Sequence, residues 1–397
     1  MKDDSIGLNS VPGSAFFVLA TRGEIAYNRT ILFYRRRRFP VTTLRFHPTV
    51  FSVKDTYQII FLTEKPGMGW VEIGGQKYLD AQNGLMRWTD EMHRVTVPRA
   101  ALDEAGEYAV CFQEMEDRKP YYPVHGDTVR RTYAFHPLRA DAPVRILYLS
   151  DTHGKCEGPV ACAKQREFDL LIMGGDIADH NSTKQDLWVL FKICSEAVRG
   201  EKPVVFSRGN HDTRGRMAEY LPGMIGTDHG NTYFTFELPG VFGLVLDAGE
   251  DKRDSCREYG GTTCFELFRR EETAWLESVK NEGRWKDAPV RIAVCHVPFT
   301  MRQQPPFDIE QDIYARWSEL LNEMGVEYLI CGHMHQLHIL HPGDEQLWNN
   351  AQFITLVGSE TPQEFVGAHY TISPDALHAV FAHCSGEIRM EEKISRK

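Results

Sequence analysis

Asp151 and His153 stand one residue apart at the end of the apolar run Ile146-Leu147-Tyr148-Leu149, so two metal-capable side chains leave the same strand end. Alone, such a pair fits a loop histidine better than a ligand. The pattern recurs, however. Gly174-Gly175-Asp176-Ile177-Ala178-Asp179 follows the apolar run Leu170–Met173, and Ser207-Arg208-Gly209-Asn210-His211-Asp212 follows 204–206. His296-Val297-Pro298 follows 292–295, and Gly332-His333-Met334-His335 follows Tyr328–Cys331. If one sheet edge gathers these ends, two aspartates, one asparagine and four histidines meet, which is enough for two metal ions.

The mixture of donors suits phosphate chemistry. A carboxylate can bridge two cations, and Asp176, preceded by two glycines that admit close backbone approach, is the candidate bridge. Imidazoles and a neutral amide complete the shells without cancelling the charge, which leaves positive potential to hold a phosphate and acidify a water. Two metals about 3.5–4 Å apart can clamp the attacking and leaving oxygens of an in-line displacement. Hydrolysis of a phosphate ester, with a metal-activated hydroxide attacking phosphorus, is therefore the expected reaction.

These residues need a scaffold, and the pattern from Val144 onward supplies one. Apolar strands are expected at 146–149, Leu170–Met173, 204–206, 244–246, 292–295, Tyr328–Cys331 and 353–357. Between them, helical spacing places Leu187, Leu190, Phe191 and Cys194 on one stripe, Ala274, Trp275 and Val279 on a second, and Ile313, Trp317, Leu320 and Leu321 on a third. The three stripes read as core packing, and the alternation predicts α/β layers. Residues up to about 140 read instead as all-β, with β-rich runs at Thr56–Leu62, 70–73, 94–97 and 108–112 separated by turn signals such as Pro66-Gly67, Gly74-Gly75 and Asn83-Gly84. This spacing suits a small sandwich. His47, His93 and His125 are scattered through it and take structural roles, and residues 1 to about 45 are assigned only an extra strand pair. A two-proline stretch over 136–143 is the expected linker, dividing the chain into domains at 1–140 and 144–397.

Bulk composition narrows the function classes. The chain has 397 residues, 42% hydrophobic, with a net charge of −10, which argues against a surface coated by nucleic acid. The exception is the run Arg35-Arg36-Arg37-Arg38, read as a solvated edge rather than a polyanion site. Nine cysteines, an odd number with several inside apolar runs, read as reduced and mostly buried thiols. The start Met1-Lys2-Asp3-Asp4 is not positive, and the run from Ala15 to Ala20 is too short for a secretory signal or a membrane span. The expectation is a cytoplasmic protein with no membrane partner; oligomeric state is left open.

The ordered set Asp-x-His, Gly-Asp-x-x-Asp, Gly-Asn-His-Asp, His and Gly-His-x-His resembles the calcineurin-like metallophosphoesterase superfamily over roughly residues 144 to 390. The resemblance implies a four-layer α/β/β/α catalytic domain behind a sandwich similar to fibronectin type III. It further implies that Asp151, His153, Asp176 and His335 hold one metal, and that Asp176, Asn210, His296 and His333 hold the other. His211 would stand beside the substrate, stabilising phosphoryl oxygens or protonating the leaving group, with Asp212 orienting its imidazole. A β-rich module ahead of the catalytic domain, and the segment Asp247-Ala248-Gly249-Glu250-Asp251-Lys252, resemble purple acid phosphatases. Those enzymes carry a tyrosine where this chain has Asp179 and a glycine where it has His153, so the imidazole would replace the phenolate and no iron–tyrosinate colour is expected. The metal is left open among Mn, Fe and Zn, in divalent or mixed-valence pairs.

Around this centre, Asp179 reads as a carboxylate supporting a ligand or capping a loop, not as a ligand. Arg208 and Arg214 either grip the substrate phosphate or form structural ion pairs. A phosphomonoesterase is the leading reading and a phosphodiesterase acting on nucleotide or other diesters its alternative. A non-catalytic scaffold is disfavoured because every expected ligand position is filled.

Overall fold

Strand Val144–Leu149 is buried along both faces, and its alternate residues enter different cores: Ile146 and Tyr148 one, Leu147 and Leu149 another. Such two-sided burial belongs to a central parallel strand covered by other layers. It pairs in parallel with Leu170–Met173, which pairs in parallel with Pro203–Phe206. The full sheet has nine strands in the order Ile388–Ser395, Ala376–His383, Val366–Ile372, Val144–Leu149, Leu170–Met173, Pro203–Phe206, Thr49–Val53, Thr56–Leu62 and Met92–Pro98. This computed structural model describes residues 43–396. The arginine run at 35–38, and nearly all of the strand pair expected before residue 45, lie outside them.

A second sheet has six strands in the order Phe234–Leu238, Val241–Leu246, Val290–Cys295, Tyr328–Cys331, Ile354–Gly358 and Leu337–Leu340. Phe234, Phe236, Val245, Ile292, Val294 and Ile330 face Ile146, Tyr148, Leu170 and Ile172 of the first sheet in a shared core. Helix Lys184–Ala197 covers the outer face of the first sheet through Leu187, Leu190, Phe191 and Cys194. Thr183 and Asp186 close a capping box at its start, worth about 1 kcal/mol. Helices Phe265–Glu282 and Gln311–Glu323 cover the outer face of the second sheet, with Trp317, Leu320 and Leu321 fully buried. The result is the expected α/β/β/α stack.

The N-terminal region is the expected β-sandwich. Its second sheet runs Val129–Ala134, Glu107–Asp117, Gly67–Ile73 and Gln76–Leu79. Val71, Ile73, Tyr108, Val110 and Phe112 from it meet Tyr57, Ile59 and Phe61 across the interior. His93 is structural, stacked on Phe61 with Nδ1 3.0 Å from Asp80 Oδ2. The other layer of the sandwich is not separate from the catalytic sheet. Thr49–Val53 pairs in parallel with Pro203–Phe206, Val50 opposite Pro203 and Phe51 opposite Val204. The stretch at 136–143 does join the two regions along the chain, but ladder hydrogen bonds cross between them. The TVFSV strand, buried at every position including Thr49 and Ser52, meets its requirement for two neighbours by joining the larger sheet. All nine cysteines are unpaired, and Cys111, Cys162, Cys194, Cys295 and Cys331 are buried. Among the described residues no helix is long and apolar enough to cross a membrane.

Candidate active site

Five strand ends deliver the site. Asp151 and His153 follow Val144–Leu149, Asp176 follows Leu170–Met173, and Asn210 and His211 follow Pro203–Phe206; His296 follows Val290–Cys295, and His333 and His335 follow Tyr328–Cys331. The turns are sharp: Asp151, His153, Asp176, His333 and His335 all have positive φ, between 42° and 70°. Non-glycine residues tolerate that region at a cost, typically where function over-determines it. Glycine makes the close approach possible, since a Cβ on Gly209 would lie 2.2 Å from Asp176 Oδ1 and one on Gly332 would lie 2.5 Å from Asp151 Oδ2.

The side chains form three overlapping clusters whose ligand atoms lie within 4.8 Å of one another: Asp151 with His153 and His335, His153 with Asp176 and His211, and Asp176 with His296 and His333. Asp176 is common to the last two, as a bridging carboxylate requires. Second partners fix the ring tautomers. His296 Nδ1 donates to Gly174 O at 2.7 Å, which turns Nε2 toward Asp176 Oδ2 at 3.2 Å. His335 Nδ1 donates to Glu360 O at 3.2 Å, with Nε2 3.9 Å from Asp151 Oδ1. His333 Nδ1 lies 3.1 Å from Asn210 Oδ1, so the amide reaches the second cluster. Asp151 is anchored by Ser150 Oγ at 2.5 Å and by the backbone N–H of His333.

The electrostatics of the site favour a cation. Burial disfavours charge on His296, yet Asp176 and Asp151 facing it push its pKa up to about 10. Burial likewise works against the charged form of Asp176, but His296, His211 and His333 around it hold its carboxyl below the usual range. Two buried carboxylates thus create a negative field at the imidazole, one that a divalent cation would satisfy directly. Both nitrogens of His153, and Nε2 of His296, are buried without a well-formed hydrogen bond. The donor set of carboxylates, imidazoles and one amide fits two first-row divalent ions.

Asp179, in the position next to His153, places Oδ1 2.8 Å from His153 Nδ1. The sequence suggested that Asp179 supports a ligand or caps a loop, and its carboxylate stands against the His153 ring. Asp212 departs from expectation. Its carboxylate does not face the His211 ring; it accepts the backbone N–H groups of Asp176 at 2.9 Å, Gly209 at 2.9 Å and Ile177 at 3.1 Å. Burial, then the neighbouring Asp176, push its pKa up to about 7. A buried carboxylate at the start of two tight turns is claimed by unpaired N–H groups, and the His211 ring turns elsewhere, its Nδ1 donating to Asp179 O at 2.9 Å.

Both flanking arginines form ion pairs. Arg208 Nε lies 2.7 Å from the buried Asp247 Oδ2. Arg214 grips Glu250 through Nε at 2.7 Å and Nη2 at 2.8 Å, while Nη1 reaches His211 Nε2 at 3.1 Å. Asp251, in the segment that resembles purple acid phosphatases, places Oδ2 3.7 Å from His333 Nε2.

Residues 144–337 match the model of the calcineurin-like phosphoesterase family. An uncharacterized protein of Schizosaccharomyces pombe is 26% identical over 187 residues, which cover 41% of this chain and 35% of that protein, so the matched segment spans about a third of the relative's length. Among solved structures, a purple acid phosphatase from yellow lupin (Lupinus luteus) seeds superposes with a TM-score of 0.60 and 13% identity, covering 88% of this chain and 74% of that one. PhoD superposes with a TM-score of 0.53 and 12% identity, covering 88% of each chain. These two likenesses extend over the sandwich as well as the catalytic layers and concern the fold.

Proposed function

The chain belongs, through residues 144–337, to the calcineurin-like phosphoesterases, and on that premise we propose that it is a dimetal phosphomonoesterase. Asp151, His153, Asp176 and His335 would hold one ion, and Asp176, Asn210, His296 and His333 the other. The observation that carries the reading is the overlap of three clusters of ligand-capable side chains, linked through His153 and Asp176. When bound, the ions supply positive charge that polarises ester oxygens and acidifies a water.

The chain's own residues do the rest. Gly174 O and Glu360 O hold His296 and His335 in the tautomer that offers Nε2 inward. Asp212 rigidifies the turn carrying Asp176, acting as a positioning residue. His211 has Nδ1 committed to Asp179 O, so Nε2 is the ring atom that gives or takes a proton. Arg214 reaches that atom and brings the guanidinium able to meet phosphoryl oxygens.

A diester is the second reading, favoured by one observation. Open space lies on both sides of the centre, one cavity bordered by His333 and Asp251 and another by His153, Lys155, Asp179 and His335. Parallel assays on p-nitrophenyl phosphate and its bis ester separate the readings. Chelation should abolish hydrolysis, re-addition of Mn, Zn or Fe should restore it, and Asp176→Asn should lose metal and activity together. Full activity in folded, metal-free protein overturns the proposal.

A further inference from the structure

Beside the second ligand cluster, a cavity of about 130 Å³ opens from His333 and Asp251 into the space between the loop after His296 and helix Gln311–Glu323. Pro298, Met301, Phe307, Ile309, Tyr314 and Trp348 line it. Its size is informative, because an apolar cavity of about 150 Å³ accepts benzene. A single ring fits within it.

The walls are preformed. Trp348 is tied back by Nε1 to Phe299 O at 2.8 Å and by its N–H to Thr300 O at 3.1 Å. Arg302 is held to the facing segment by its N–H to Gln346 O at 2.7 Å and by Nε to Glu345 O at 2.9 Å. A pocket held open by such bonds needs little ordering when it fills. Phe307 is 38% exposed, an aromatic side chain left standing at the edge of this cavity. Asp251 and Asp308 also border it, with Arg302 turned to Glu345 O through its Nε. The two carboxylates outnumber that single cation, which disfavours an organic group with negative charge of its own.

We propose that this cavity is the subsite for the organic group of the ester, and that it selects an uncharged apolar group of single-ring size attached to the phosphate. The inference rests on the phosphoesterase reading, since the His333 end of the cavity places the group's phosphate at the metal centre. It adds the substrate class: a phosphate ester of a compact aromatic or alicyclic alcohol, not a nucleotide polyphosphate or a sugar bisphosphate.

Non-hydrolysable phosphonates test it by binding alone. Calorimetric titration of the Mn-loaded full chain with phenylphosphonate and methylphosphonate should give about tenfold tighter binding of the phenyl compound, the factor for half-burying one ring. A carboxylate in the para position of the phenyl compound should remove most of that advantage. Phe307→Ala, which removes a partly exposed wall, and Gln303→Trp, which fills the space from its half-buried lip, should each bring the affinity ratio toward one. Circular dichroism confirms that both variants are folded. Equal affinities in the wild-type chain, or a ratio that survives both substitutions, overturns the subsite while leaving the phosphoesterase reading intact. Failure of both phosphonates to bind, together with no hydrolysis of any ester, removes the phosphoesterase reading and the subsite with it.

Discussion

The guanidinium of Arg214 bridges His211 and Glu250, meeting the ring Nε2 at 3.1 Å on one side and the buried carboxylate at 2.7 and 2.8 Å on the other. Tyr259 adds a hydroxyl to the same carboxylate at 3.1 Å. Because Arg's planar fork matches a carboxylate at two points, its aim at His211 is set by Glu250. Arg214→Ala should therefore lower kcat/KM on an aryl phosphate by about 10–100-fold at unchanged metal content. Arg214→Lys should recover little of the loss, because an ammonium cannot hold both partners. Steady-state kinetics alongside metal analysis checks this.

Asp212 offers a contrast, since its carboxylate serves three backbone N–H groups and not the His211 ring. Asp212→Asn places an amide NH2 against at least one of those donors. Stability should fall by about 1–3 kcal/mol in urea titrations, and metal affinity should weaken. The shape of the pH–rate profile should stay as in the wild-type chain, because the groups around the imidazole are unchanged.

Gly209→Ala tests the tight approach of two turns. The added methyl would lie 2.2 Å from Asp176 Oδ1 and 2.4 Å from Asp176 N, so the turn bearing the shared carboxylate must shift. Overpacking of this kind costs about 1–3 kcal/mol. Metal retention after dialysis should drop more sharply than the unfolding midpoint.

His369 makes a prediction about acid. It is 6% exposed, burial lowers its pKa to about 4, and neither ring nitrogen has a hydrogen-bond partner. In the unfolded chain the same group titrates near the ordinary value of about 6.5. Between those values the unfolded state binds the extra proton, so the stability contributed by a neutral His369 is present above pH about 6.5 and lost as pH falls toward 4. The loss amounts to roughly 3 kcal/mol at most. His369→Leu should flatten this part of the acid limb in denaturation curves measured at pH 4.5 to 7.5.

Much of the site is legible in the sequence because each cluster of candidate ligands directly follows an apolar strand, and a strand's end is a local property. Strands Leu170–Met173 and Tyr328–Cys331 have the expected limits, and Asp151, His153, Asp176, His296, His333 and His335 meet as their positions implied. What escaped were relationships between distant segments. Which carboxylate pairs with Arg208 or Arg214 depends on how the strand Val241–Leu246 lies beside the others, and no periodicity encodes that. Asp212 was misread for a similar reason: adjacency to His211 in the chain suggested a partnership, while the demand of Asp176, Ile177 and Gly209 for an acceptor came from another turn. The sandwich was recognisable from its turn signals, yet its pairing with Pro203–Phe206 joins segments about 150 residues apart.

That pairing decides how the chain can be cut. The strand that presents Asn210 and His211 has Leu170–Met173 on one side and Thr49–Val53 on the other. A fragment beginning at Val144 would leave Pro203–Phe206 as an open edge, four apolar residues with bare amide and carbonyl groups, ready to recruit a strand from another molecule. In the intact chain the β-rich region in front of the catalytic layers covers that edge.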